Sequence, residues 1–206
     1  MSQLPADCLN EIFEYLEEDE IALRSCLLVS RLWCEVSVRI LWRNIRNYST
    51  LIACLPNESK EILYKGGISN TSTSTSKSPM FNYATFCKVL SIHQVDCRIR
   101  QLLRNQPSIL SQSLNGDLHM ATQEVLNSNT HIITQEVLKL LISQTSLRKL
   151  TFDLSLNIPK FTSFPGAKDC LKNLSELCCD SNIHPEFFYQ LSQICHNLQS
   201  LISLLQ

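Results

Sequence analysis

The stretch Cys26–Ile45, CLLVSRLWCEVSVRILWRNI, holds both tryptophans of the chain and constrains the fold more than any other segment. Ser30 is suited to cap a helix N-terminus. From there, helical periodicity puts Leu32, Trp33, Val36 and Ile40 on one stripe and Cys34, Val38, Leu41 and Trp42 on a second, roughly opposite stripe. A helix that is apolar on two sides has to be covered on two sides. The preceding helix, about Pro5 to Leu16, is simpler: Leu9, Ile12, Phe13 and Leu16 follow the i, i+3, i+4, i+7 pattern, with Glu11, Glu14 and Glu17 on the other side. Pro5 suits a first helical turn, where a missing N–H costs nothing, and Asp7 sits near the positive end of the dipole. Between Asp19 and Val29, the residues Ile21, Leu23, Cys26, Leu27, Leu28 and Val29 point nearly all round the axis.

Three short helices cannot supply that much cover for one another. A unit of fewer than about 50 residues buries too small a share of its surface to be comfortable alone and leans on a metal, disulfides or a partner. The ten cysteines run from Cys8 to Cys195 without a CxxC pair or zinc-ligand spacing. One stripe is therefore expected to build an internal core and the other to meet a second protein. The competing reading sets the second stripe against residues 49–206.

Leu4 to Ile45, LPADCLNEIFEYLEEDEIALRSCLLVSRLWCEVSVRILWRNI, resembles the F-box motif along its length: Leu4 and Pro5, then Ile12, Phe13 and Leu16, then Cys26, Leu28, Val29, Arg31 and Trp33, and finally Leu41 and Trp42. The resemblance implies a three-helix module that docks on a Skp-type adaptor and through it on a cullin. Such a protein chooses the substrate of a ubiquitin ligase for proteasomal degradation and catalyses nothing itself. By the same analogy Leu4, Pro5, Leu9, Ile12, Leu28, Val29 and Trp33 belong at or next to the adaptor surface. Residues 1–20 carry seven acids and no base, and residues 21–48 carry five arginines against Glu35 alone. That polarity reads either as orienting an approach to a charged adaptor or as solvated helix faces.

Composition narrows the classes further. A formal net charge of −1 gives no basic face for nucleic acid or anionic membrane, and no apolar run approaches the roughly 18 residues of a membrane span. The acidic N-terminus is unlike a secretory leader, so the expected location is cytoplasmic or nuclear and the cysteines are expected to be reduced.

The fold class expected is α+β, mostly α: a three-helix module over 1–48, short helices and a flexible linker over 49–80, and a short, irregular leucine-rich-repeat solenoid with a small parallel sheet over 81–206. Pro56 and Asn57 separate two short helices within Leu51–Tyr64, and GGISNTSTSTSKSP, Gly66–Pro79, lacks the apolar atoms that would offset the entropy of ordering it. SLRKLTF, NLSELCC and NLQSLIS place Leu147, Leu174 and Leu198 in recurrence after 27 and then 24 residues, a leucine-rich-repeat spacing with one internal pattern, Leu147/Leu150, Leu174/Leu177 and Leu198/Leu201. CKVLSIHQ, from Cys87, reads as a divergent earlier unit. Helices are expected over about Gln135–Ser143 and Pro185–Cys195, the second with Phe188, Leu191, Ile194 and Cys195 on its dry face, and Asn105–Thr134 reads as a loop insert. The last repeat strand lacks a polar cap, so the chain is expected to be truncated at its C-terminus or to keep a sticky edge. An unidentified protein substrate is expected along the strand face, at Arg148, Lys149, Thr151, Ser175 and Glu176.

An enzyme is not expected. Cys195 and His196 are adjacent in sequence, which does not bring a nucleophile and base together in space; the five histidines show no HExxH or HxxxH pairing, and the four glycines form no phosphate loop. No cofactor, metal or catalytic residue is assigned. The alternative function is a leucine-rich-repeat scaffold that binds proteins without any ligase.

Overall fold

A computed structural model of the chain describes residues 4–65, 68, 79–105, 118–152, 161–180 and 182–204. The chain divides into two compact units, Met1–Arg46 and Asn47–Gln206.

The first unit is built of α1 (Ala6–Glu14), α2 (Glu20–Cys26) and α3 (Arg31–Leu41). Pro5 stands immediately before α1. Asp19 opens α2 by accepting from the Ala22 N–H at 2.9 Å, and Ser30 opens α3 by accepting from the Trp33 N–H at 3.3 Å; each satisfies a backbone donor that a helix start leaves unpaired. Helix α3 packs on both α1 and α2. Leu9, Phe13, Leu23, Cys26, Val36 and Ile40 form the core, with Leu16, Leu32, Trp33 and Leu41 half-buried against it.

The first stripe of α3 thus builds the core, as the periodicity implies. The second stripe does not form the free face expected of it: Leu41 packs on the same core, Cys34 and Trp42 are half-buried, and Val38 is buried outside that cluster. The all-round apolar helix after Asp19 is also corrected. Helix α2 stops at Cys26, and tight backbone bonds from Leu28 to Ser25 O and from Val29 to Cys26 O fold Leu27–Val29 into a turn, with Leu28 and Val29 exposed. The charge polarity is largely consumed within the unit. Arg43 pairs with Glu14 and Glu17, Arg46 and Arg24 both pair with Glu20, and Arg31 pairs with Glu35.

The second unit contains α4 (Tyr48–Ala53), α5 (Asn57–Lys65), β1 (Val89–Ser91), α6 (Ile92–Arg104), α7 (Leu118–Gln144), β2 (Lys149–Phe152), α8 (Ala167–Leu171), β3 (Glu176–Asp180), α9 (Pro185–Ser192) and β4 (Ser200–Leu204), with short 3-10 turns at Tyr83–Phe86 and Phe161–Ser163. The break at Pro56 falls between α4 and α5, and Pro185 occupies the first turn of α9. Helices α4 and α5, which the sequence reading groups with the linker, pack within this unit, α4 on α6 and α7 and α5 on α7. Of the Gly66–Pro79 tract only Ile68 and Pro79 are among the described residues; Ile68 is buried and its N–H bonds to Leu63 O. The loop insert expected over Asn105–Thr134 is overturned from residue 118 onward, where the chain is helical: the polar residues there interrupt the apolar pattern, but Leu126, Ile133, Val137, Leu138 and Leu141 still bury one side of α7. Residues 106–117 of that segment lie outside the described residues.

The four strands are parallel, in the order β1-β2-β3-β4. The register aligns Leu90, Leu150, Leu177 and Leu201 in one lateral row. The first three are buried, whereas Leu201 on the outermost strand is 60% exposed. The sheet's core side is therefore closed along β1–β3 and open at β4.

Candidate functional site

In the first unit the seven residues that the F-box resemblance implies for an adaptor surface differ in exposure. Leu9 is 1% exposed and belongs to the internal core, because it lies one turn from Phe13 on the inward face of α1; it is not available to a partner. Trp33 is half-buried and holds an edge-to-face contact with Phe13, so at least part of its surface closes the core. Leu4, Pro5, Ile12, Leu28 and Val29 are exposed, Leu28 the most at 88%.

Two exposed apolar residues were not singled out by the sequence, Tyr15, 91% exposed, and Ile21. The signal for Tyr15 was present in the periodicity. Cys8, Ile12 and Tyr15 recur at i, i+4 and i+7, a second row along α1 and its C-terminal cap beside the buried Leu9/Phe13 row. All three are exposed, as is Leu4 ahead of the helix. The helix therefore shows one row to the core and a second, largely apolar row to solvent. These exposed residues lie outside a core that Leu9, Phe13, Leu23, Cys26, Val36 and Ile40 already close.

In the second unit, Arg148 is exposed, and Lys149, Thr151, Ser175 and Glu176 are half-buried. Lys149 and Glu176 are direct partners in the β2–β3 register and form a 3.0 Å ion pair. Hydrogen bonding to Glu176 raises the Lys149 pKa. The Ser175 hydroxyl donates to Arg148 O at 3.1 Å, and the backbone of Ser175 and Glu176 bonds to the same carbonyl. Arg148, Lys149, Ser175 and Glu176 are thus gathered at the β2–β3 strand starts, with much of their bonding capacity used between strands, and Thr151 lies two residues further along β2.

The Cys195 thiol is half-buried, donates to Leu171 O at 3.2 Å, and is pushed up to about 11 by burial, which keeps it protonated at neutral pH. Burial likewise pushes Cys87 up to about 12 and raises Cys170 and Cys179. All ten cysteines are free. Among the described residues no group of three or more His, Cys, Asp or Glu side chains is placed to hold a metal ion, and no helix is long and apolar enough to cross a membrane.

Residues 1–48 match the F-box-like family model. No curated protein and no solved structure matches the chain.

Proposed function

We propose that this chain, which carries an F-box-like domain at residues 1–48, is a substrate-recognition subunit of a Skp-cullin-F-box ubiquitin ligase. The domain docks on a Skp-type adaptor, and the second unit presents a target protein. Such a subunit works by position: holding the target beside the ubiquitin-carrying enzyme raises the effective concentration of the acceptor lysine. An assembly of this kind acts in the cytoplasm or nucleus.

The observation that carries the reading is the exposure of Leu4, Ile12, Leu28 and Val29 on a unit whose core is already closed by Leu9, Phe13, Leu23, Cys26, Val36 and Ile40. The row of Leu90, Leu150, Leu177 and Leu201 across strands paired in chain order supports a leucine-rich-repeat character for the second unit. The partly exposed Arg148, Lys149, Thr151, Ser175 and Glu176 are then the target-facing positions.

The test is co-purification of the full chain with a Skp-type adaptor, compared with a Leu4→Asp/Leu28→Asp variant. Interface anchors contribute about 2 kcal/mol each, so the variant is expected to lose the adaptor while its tryptophan emission stays unchanged. Retained binding by the variant would displace the docking surface. A parent chain that does not bind the adaptor would remove the ligase role and leave a scaffold.

A further inference from the structure

On the solvent side of α6, the Cys97 sulfur lies 3.2 Å from His93 Nε2, one helical turn away. Both residues are exposed, while Ile92, Val95, Ile99 and Leu103 bury the opposite face of the same helix. The pair is therefore mounted on an anchored element, and the i, i+4 spacing keeps the two groups on one face. We propose that His93 and Cys97 form a thiol-modification site that reacts with small anionic disulfides of the glutathione class.

The chemistry follows from the contact. With the ring proton on Nδ1, the Cys97 S–H donates to Nε2, and the imidazole takes that proton as the thiolate attacks one sulfur of the disulfide. The Cys97–sulfur bond forms, the disulfide's S–S bond breaks, and its electron pair leaves with the second sulfur, which collects the proton from His93. Cys97 is oxidised to a mixed disulfide and the departing half is reduced to a thiol, so no further oxidant is needed. Arg98 and Arg104, both exposed on α6, favour an anionic disulfide. Two ligands alone do not make a metal centre, and no third metal-binding side chain completes one among the described residues.

Selectivity comes from the state of the other thiols. Cys26, Cys87, Cys170, Cys178 and Cys179 are buried, and Cys34, Cys54 and Cys195 are half-buried. Cys8 is the other exposed thiol, and its unit, residues 1–46, contains no histidine. Exposure is thus shared by two cysteines, and a neighbouring base is found at Cys97.

The test is incubation of the full chain with oxidised glutathione at neutral pH, followed by alkylation and peptide mass mapping over time. Cys97 is expected to acquire glutathione about tenfold faster than Cys8, and His93→Gln is expected to slow Cys97 about tenfold without changing Cys8. Equal rates at Cys97 and Cys8, or a His93→Gln chain whose Cys97 rate matches the parent's, would overturn the proposal.

Discussion

Phe13 on α1 and Trp33 on α3 meet edge to face, with ring centroids 5.0 Å apart and planes inclined at 67°. Aromatic pairs in this arrangement contribute beyond the area they bury, and this one ties α1, which carries the exposed Ile12, to α3, which follows the turn bearing Leu28 and Val29. Phe13 lies wholly within the core, whereas Trp33 is half-buried at its edge. The pair fixes the geometry from which Ile12 and the α2–α3 turn project.

Phe13→Ala is expected to destabilise the first unit by about 3–5 kcal/mol, the usual consequence of emptying a buried aromatic site. Both tryptophans lie in that unit, so tryptophan emission during urea unfolding reads it selectively. An emission midpoint unchanged from the parent would contradict the core position of Phe13.

Arg43 is 17% exposed and is held by both Glu14 and Glu17, and hydrogen bonding to Glu14 raises its pKa. Partial burial places its contribution between that of a surface ion pair and that of a buried one. Arg43→Ala is expected to lower the same unfolding midpoint by the equivalent of about 1–2 kcal/mol. Arg31→Ala, at a well-exposed pair with Glu35, should change it by less than about 0.5 kcal/mol. Equal effects would show that the Glu14–Arg43–Glu17 cluster contributes nothing particular.

Gly166 precedes α8 with φ +85°, and a Cβ there would stand 3.0 Å from Ser143 Cα and 3.1 Å from Ile142 O at the end of α7. Conformation and close approach both demand glycine. Gly166→Ala is expected to destabilise the second unit by about 1–3 kcal/mol, measured by circular dichroism in urea. Gly166→Asn, which tolerates the left-handed backbone, should not restore stability, because its Cβ meets the same atoms. Full recovery with Asn would leave conformation as the sole cause.

Burial pushes the Cys87 thiol from its ordinary 9.0 up to about 12. The unfolded chain releases this proton first, so between about pH 9 and pH 12 it binds fewer protons than the folded chain and stability falls as pH rises. The contribution is fully present below pH 9. Cys87→Ala should flatten the alkaline decline by up to about 1.4 kcal/mol per pH unit, seen in urea midpoints at pH 8, 9.5 and 10.5. Parallel declines in parent and variant would contradict a buried neutral thiol.

Much of the local structure is legible in the amino-acid sequence. Ser30 marked a helix start, Pro56 a break and Pro185 another start, because each acts through its own backbone and immediate neighbours. The leucines at 150, 177 and 201 mark strands through the recurrence of one short pattern after 27 and then 24 residues. The start of helix α7 at residue 118 is not legible in the sequence, because polar residues, including those of the repeated TQEVL at Thr122 and Thr134, interrupt the apolar pattern and the buried residues toward its C-terminal end, Glu136, Leu140 and Ile142 among them, lie on more than one side. The His93–Cys97 contact is legible in the sequence only as an imidazole and a thiol at i, i+4, and it is the helix over Ile92–Arg104 that brings them together.

By itself, then, the sequence determined several of the points where the chain turns helical or extended, and that Leu4–Ile45 carries more apolar side chains than three helices can enclose. Tertiary structure alone decided which of them stay outside. Leu9 and Ile12 share a helix and a similar chemistry, yet the contact of α1 with α3 buries the first and leaves the second half in solvent. Likewise Arg43 reaches Glu14 across 29 residues of chain, neutralising a polarity that looked available to a partner. Periodicity records only a residue's covalent neighbours, whereas burial and ion pairing depend on which distant segment arrives to cover it.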